Sequence, residues 1–461
     1  MSCLQVIGEP NTPVKEFWRR IESTAFNSIR GVLSNAMILD ACKSANYVFR
    51  KRKLTPLLTI LHSLLAAIWP EESFAASWQV LWASACALDP ALSDVTQPNS
   101  GSLAKARQRI PLAVWNALVS ALSTLVCACG TARDTWRGLR VVLMDGTCVS
   151  MPAEEALFEH FGSNGQARGK PHYPLARMVV LGLASSRAIL AYALGAFLDS
   201  EVSLARTLLA HLKPGDLLIA DRLFAAAHAY AMYARHQIQF ITRMHQRVKI
   251  SKLRKLKIFS HDDMLVEMRL DAKYRRAHPD APEKIVVRVI RARISGRDGK
   301  AWLYVVTSLL SATDYPASEI VALYAQRWRI ETLFREFKID LSADVLRSKT
   351  VAGIEKEIAA RVTALNTIRV LMLNAAVQKS ADVLRISFVQ TLRTVINFAP
   401  GFATQKFERL PRLYRRMLEE IARQTVPDRP GRKEPRMTRR EKRHYPTLTT
   451  TRVQWRKRHA A

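Results

Sequence analysis

A mixed α/β core, with a helical N-terminal region and an inserted β-rich subdomain, is the fold class the sequence predicts. Three observations carry it. Apolar segments of helical length fill the first 132 residues. Short apolar runs such as Val141–Met144 and Leu217–Ala220 then alternate with a helical segment. Last, short alternating runs broken by polar and Pro/Gly-containing connections fill most of residues 244–315.

In residues 1–132, Pro56 and Pro70 punctuate apolar helices and Pro98-Asn-Ser-Gly101 marks a loop. No formal charge occurs between Arg109 and Arg133, but Pro111, Asn116, Ser120, Ser123 and Thr124 interrupt that stretch, so it reads as a buried helix rather than a membrane span. Leu54–Trp69 is shorter and receives the same reading. Two segments, Tyr47–Pro56 and Ser102–Arg109, combine basic residues with helix-compatible sequence. Each suits either a DNA backbone contact or a solvated helix face.

Residues 133–243 change period. Val141–Met144, Met178–Ala184, Ile189–Ala193, Leu217–Ala220 and Gln239–Arg243 read as strands, with helical Val202–Leu212 and Leu223–Arg235 between the later ones. That order suggests an RNase H-like catalytic core, although order alone leaves strand pairing and other α/β sheets open. The β-rich insertion at 244–315 contributes strands at Met264–Leu270, Ile285–Ile294 and Trp302–Leu309. Its Lys249–Lys257 and Lys273–Arg276 runs suit a DNA-facing surface, whereas Tyr274 and Trp302 read as packing residues. Residues 316–400 complete the core with packing helices; Asn366 and Arg369 are polar exceptions there, and Glu357 reads as a helix-surface charge. In residues 401–461, the Pro427–Arg436 stretch and the Arg439–Arg443 run predict a basic tail for DNA contact or multimerisation.

The formal net charge of +31 over 461 residues favours a polyanionic partner. A hydrophobic fraction of 49% with nine tryptophans argues against a merely charged, coreless chain. Cys3, Cys42, Cys86, Cys127, Cys129 and Cys148 lack zinc-ribbon spacing and read as reduced thiols. With Glu9 and Pro10 breaking any signal-peptide pattern, the expected location is cytoplasmic, without a membrane partner.

The stretch Tyr324–Lys338 carries the chemistry. At about 100° per residue, Tyr324, Arg327, Glu331 and Lys338 fall within roughly 60° of one another on a single expected helix, beside an apolar stripe of Ile330, Phe334, Phe337 and Leu341. Asp145 and Asp221 each end an apolar run. Three carboxylates so placed suit hard divalent cations, Mg²⁺ or Mn²⁺, and metal-dependent phosphoryl transfer on nucleic acid. Taken singly, each aspartate equally suits a turn or cap, and Glu331 a surface position.

Asp145-Gly-Thr, Asp221-Arg-Leu-Phe224 and Tyr324-x₂-Arg327-x₃-Glu331-x₆-Lys338 together resemble bacterial insertion-sequence DDE transposases, particularly insertion-sequence family 4. The resemblance spans roughly residues 30–450 and includes Leu346-Arg-Ser348 and Asn366-x₂-Arg369. It implies a nucleoid-associated recombinase that binds double-stranded DNA at terminal inverted repeats, joins it to target DNA and works as a homo-oligomer in a synaptic complex. It further implies cut-and-paste transposition through a hairpin intermediate. Asp145, Asp221 and Glu331 would hold the metals; Tyr324, Arg327, Trp328 and Lys338 would contact end DNA. Trp328 suits core packing equally well.

Overall fold

A computed structural model describes residues 29, 31–50, 54–88, 96–129, 135–164, 173–296, 299–404, 407–427, 454, 457 and 458. Residues 51–53 of the first basic segment, and residues 428–436 and 439–443 of the basic tail, lie outside this set.

The N-terminal part is helical as expected: α1 (Asn35–Ser44), α2 (Pro56–Ile68), α3 (Phe74–Leu88), α4 (Ser100–Arg109) and α5 (Leu112–Ala128). Helix α2 starts where Thr55 caps the Leu58 amide and Pro56 supplies a preset first turn. Helix α5 buries Val114, Trp115, Leu118, Leu122 and Val126. No single described helix is long and apolar enough to cross a membrane; α4 and α5 pass that test only as a pair, and they are bent by 73°.

Next come β1 (Thr135–Trp136), β2 (Leu139–Ser150), α6 (Glu155–Phe161), β3 (Leu175–Leu183), β4 (Ile189–Ala196), α7 (Glu201–Leu208), β5 (Asp216–Ala220), α8 (Ala227–Arg235) and β6 (Gln239–Arg243). They are followed by β7 (Arg254–Ser260), β8 (Asp263–Arg269), α9 (Ala272–Ala277), β9 (Lys284–Gly296) and β10 (Gly299–Thr307). Among the described residues these strands form one sheet in the order β4-β3-β2-β5-β6-β10-β9-β8-β7, with β1 on β2. Strands β2, β5 and β6 run parallel; the other pairings are antiparallel. All five residues of β5 are buried, as a parallel strand covered on both faces requires, which is why it reads as an unbroken apolar run.

The insertion strands are therefore an extension of the sheet, stitched on where Val305 pairs with Arg243. Strand β7 was not expected: Leu256 and Ile258 alternate with basic residues but stay exposed, so the segment reads as a charge run. Tyr274 stacks on His228 at 5.5 Å, a packing role as expected. Trp302 packs under Arg291 and Arg293, with guanidinium-to-ring distances of 4.3 and 5.0 Å.

The two faces of the central strands serve different layers. Val142, Met144, Leu218 and Ala220 join the core of the N- and C-terminal helices, whereas Val141, Leu143, Leu217 and Ile219 pack with Ile320, Leu323, Tyr324 and Ile330. Those last four belong to α10 (Ala317–Ala325) and α11 (Trp328–Arg335), which a π-helical turn, Glu336–Asp340, follows. The 29-residue α12 (Val351–Lys379) is buried for most of its length, and α13 (Phe388–Thr404) and α14 (Leu410–Arg423) close the described fold.

Candidate active site

Met144 and Ala220 are parallel register partners on β2 and β5, so Asp145 and Asp221 are the next residues on two neighbouring strands. The carboxyl ends of parallel strands next to an antiparallel neighbour are where α/β sheets collect polar groups. The strands part there. Strand β5 stops and Asp221 leads into a 3₁₀ turn, Arg222–Phe224, with no side-chain cap bond, so the capping alternative for this acid is not realised. Strand β2 instead continues along β3 to Ser150. One oxygen of Asp145 accepts from the Gly146 amide at 2.8 Å and the other from Arg327 Nη1 at 3.2 Å. Burial pushes the Asp145 carboxyl up, and the Asp221 and Glu201 charges push it the same way against Gly146 and Arg327.

The expected single helix from Tyr324 to Lys338 is interrupted at both ends. Helix α10 ends at Ala325, and Arg327 donates its amide to Tyr324 O while Ile330 donates to Arg327 O, so a tightened turn separates α10 from α11. Beyond α11 the Leu341 amide reaches back to Glu336 O, one residue further than an α turn allows. Neither deviation follows from apolar periodicity, because the stripe of Ile330, Phe334, Phe337 and Leu341 survives both.

The functional faces nevertheless converge. Arg327 Nη2 lies 3.0 Å from Glu331 Oε1, so one guanidinium bridges Asp145 and the half-exposed Glu331. Tyr324 is buried against Ile320, Leu323 and Ile330, and burial together with the Asp221 charge pushes its hydroxyl up to about 12. Lys338 donates to Cys148 O at 2.9 Å, on β2 beyond Asp145. Trp328 is 57% exposed, which rules out the core-packing alternative for its ring.

Buried charges anchor the helix that carries Glu331. Glu336 pairs with Arg369 of α12 and lies 3.5 Å from Arg187, and the Arg369 guanidinium stacks over Phe388 at 4.8 Å. Burial lowers Arg369 to about 10, against the opposing pull of Glu336. Asn366 locks α12 to β4, exchanging hydrogen bonds of 2.8 and 2.9 Å with the Ile189 carbonyl and amide. Glu357 corrects the surface expectation: it is buried, and accepts from Ser348 Oγ at 2.7 Å and Arg361 Nη2 at 2.9 Å.

Glu201 was missed in the sequence. It opens α7, and Arg177 Nη1 lies 3.1 Å from its Oε1. A Cβ on Gly146 would stand 2.5 Å from Glu201 Oε2, so the glycine beside Asp145 makes room for a fourth acid. An isolated glycine inside a strand signals close approach, and that signal was present in Asp145-Gly146.

Among the described residues, no three His, Cys, Asp or Glu side chains are arranged to hold a metal ion; Asp145 and Glu331 both spend an oxygen on Arg327. The donor chemistry does fit a hard divalent cation. A buried carboxylate pushed up by burial and by two neighbouring acids is relieved by positive charge.

Comparisons with known proteins identify the family of the chain. The sequence model of a family described as "Transposase DDE domain" matches residues 136–367. "Transposase InsG for insertion sequence element IS4" of Escherichia coli (strain K12) is 25% identical over 323 residues, covering 69% of this chain and 71% of that protein. "Putative transposase InsZ" of the same organism is 30% identical over 93 residues, covering 20% of this chain and 31% of that protein. The family match spans half of the sequence and contains Asp145, Asp221 and Glu331, and the chain belongs to the DDE transposases, in the family of insertion sequence element IS4.

Proposed function

We propose that this chain cleaves the ends of its own insertion element and joins them to target DNA by cut-and-paste transposition through a hairpin intermediate. The observation that carries the reading is the side-by-side placement of Asp145 and Asp221 with Arg327 tying Asp145 to Glu331. The catalytic core is RNase H-like: an antiparallel β4-β3-β2 followed by parallel β5 and β6 supports it. The helices of residues 1–132, the strands of 244–315 and the basic residues of 401–461 serve DNA binding and assembly around that core.

Asp145, Asp221 and Glu331 would hold Mg²⁺ or Mn²⁺, which when bound activates the attacking oxygen and stabilises the leaving one. In strand transfer, a terminal 3′-hydroxyl oxygen of the element forms a bond to a target phosphorus as the bond from that phosphorus to the target's own 3′-oxygen breaks. Arg327 and Lys338 orient the phosphates through charge-assisted hydrogen bonds, and the buried Tyr324 supports Arg327 from below. The exposed Trp328 offers an indole face for a base of the end DNA. Terminal inverted repeats are paired by a homo-oligomer, the arrangement that two simultaneous end cleavages require.

Purified protein, Mg²⁺ and duplexes carrying the flanking inverted repeats test this directly. Asp145→Asn, Asp221→Asn and Glu331→Gln should each stay folded and lose cleavage and joining by at least ~10²-fold. Folded variants that all retain wild-type product yields overturn the assignment. Random cleavage without joining would mark a nuclease, and specific binding without cleavage a regulator.

A further inference from the structure

Beyond the carboxylates, β2 runs on to Ser150, whose amide donates to Asp344 O at 2.9 Å and whose carbonyl accepts from the Leu346 amide at 2.8 Å. The chain then enters a cleft of about 750 Å³ between α2, α4, α5 and the N-terminal turn of α12. Arg107, Arg347, Lys349, Lys356 and Arg361 line it against a single carboxylate, Glu357. That carboxylate is already taken up by Ser348 and Arg361, and Lys349 pairs outward with Glu154 at 3.0 Å.

What is left is a surplus of donors. Arg107 donates to Ser348 Oγ at 2.6 Å and lies over the Phe74 ring at 5.2 Å, and both of these partners are neutral. Among the described residues Lys356 reaches no carboxylate, only Gln108 O at 2.8 Å. Two further buried donors, the Trp115 indole N–H and the Arg361 Nε–H, have no acceptor among the described residues. Burial lowers the pKa of Arg107 against the upward pull of Glu357, with Arg361 adding to the lowering, and burial and Arg107 lower that of Lys356 against Glu355. An acceptor-only anion in the cleft would answer the Arg107 and Lys356 charges that line it.

We propose that this cleft binds a phosphodiester of the element's end DNA, as a second anchoring point distinct from the carboxylate site. The inference rests on the transposase reading above. A phosphate brings negative charge and acceptors with no proton to place, and the first turn of α12, with Thr350, Ala352 and Gly353, forms part of the cleft wall. The apolar walls, with Phe74 and Trp115 among them, suit a deoxyribose, and the volume exceeds what a lone phosphate fills. Lys338 on Cys148 and the Ser150 junction lie on the same strand between the acids and the cleft, a path for a backbone bound at both ends.

The test is the salt dependence of binding of the full chain to a short duplex carrying the flanking inverted repeat, read by fluorescence anisotropy. Arg107→Gln with Lys356→Gln should lower the slope of log K against log salt by about 0.9 for each phosphate that is no longer neutralised, and weaken binding about tenfold at low salt. Trp115→Phe keeps an aromatic ring in place and should weaken binding a few-fold with the slope unchanged. Ala104→Lys, at an exposed position on the cleft wall, should steepen the slope without risk to the core. If Ala104→Lys and the folded loss variants all match wild type, the proposal is overturned, while intact end cleavage leaves the transposase reading standing. If wild type neither prefers its repeats nor cleaves them, that reading falls instead. Inorganic phosphate is the control ligand: stabilisation of wild type by phosphate alone, with the duplex slope unmoved by every variant, would make this a free-anion site and also overturn the proposal.

Discussion

Arg327 lies 3.2 Å from Asp145, an ion pair made across 182 positions of sequence. The same guanidinium holds Glu331 at 3.0 Å, so a cation of the protein sits between two acids assigned here to metal binding. On the function proposed above, DNA phosphate and metal would have to take over both of these pairings, and Arg327 would then gate site assembly.

Arg327→Ala should therefore separate metal binding from DNA binding. Removing the positive charge raises the Asp145 carboxyl further, since Arg327 now opposes its upward shift. It also frees two carboxylate oxygens, and Mn²⁺ binding by the DNA-free protein should strengthen by ~3–10-fold, the range of partly exposed ion pairs. Electron paramagnetic resonance of free Mn²⁺ measures this. Weaker Mn²⁺ binding in a folded variant would refute the gate.

Gly146→Ala probes the missed acid. The new methyl would meet Glu201 Oε2 at 2.5 Å, so Glu201 must turn away from Arg177 or β2 must shift. A destabilisation of about 1–3 kcal/mol is expected from such overpacking, and most of it should vanish in a Glu201→Ala background. Urea midpoints of the four proteins give the coupling. Equal destabilisation in both backgrounds would show that Glu201 does not fill that space.

His62 gives a pH dependence with a definite sign. It is buried in α2, its Nε2 is 2.9 Å from Phe74 O, and burial lowers its pKa from 6.5 to about 4. Below pH 6.5 the unfolded chain takes up a proton that the folded protein refuses. Its contribution is complete above that pH and is lost as pH falls toward about 4, by up to about 3 kcal/mol. His62→Gln should flatten the stability difference between pH 7 and pH 5 by ~2 kcal/mol in urea titrations. An unchanged difference would mean that His62 does not carry it.

Asp145 and Asp221 were legible because strands buried on both faces read as unbroken apolar runs, and the first polar residue after such a run marks where burial ends. Arg327 and Glu331 were legible by spacing, since an interval of four survives the tightened turn before Trp328. Lys338 was expected on one helix with Glu331 but lies in the π turn beyond it, which shifts the helical phase between residues 336 and 340. The union of all strands in one sheet was not legible: it depends on Val305 meeting Arg243, a non-local pairing with no local signature. Glu357 was misjudged for a related reason, since only the fold brings Ser348 to it and turns a helix charge into a buried one.

The π turn also fixes how much chain this region tolerates. A π turn carries one residue more than an α turn, so deleting any one residue from Glu336–Asp340 would let an ordinary helix close over the gap. The chain after it would then keep its register, while the side chains within the turn would be re-phased. Lys338 would leave Cys148, and Glu336 could not keep Arg369, because the two side chains point from this turn in different directions. Copies of the element drifting through genomes should accordingly accept substitutions at the exposed Ile339 far more readily than any change of length between Glu331 and Leu346.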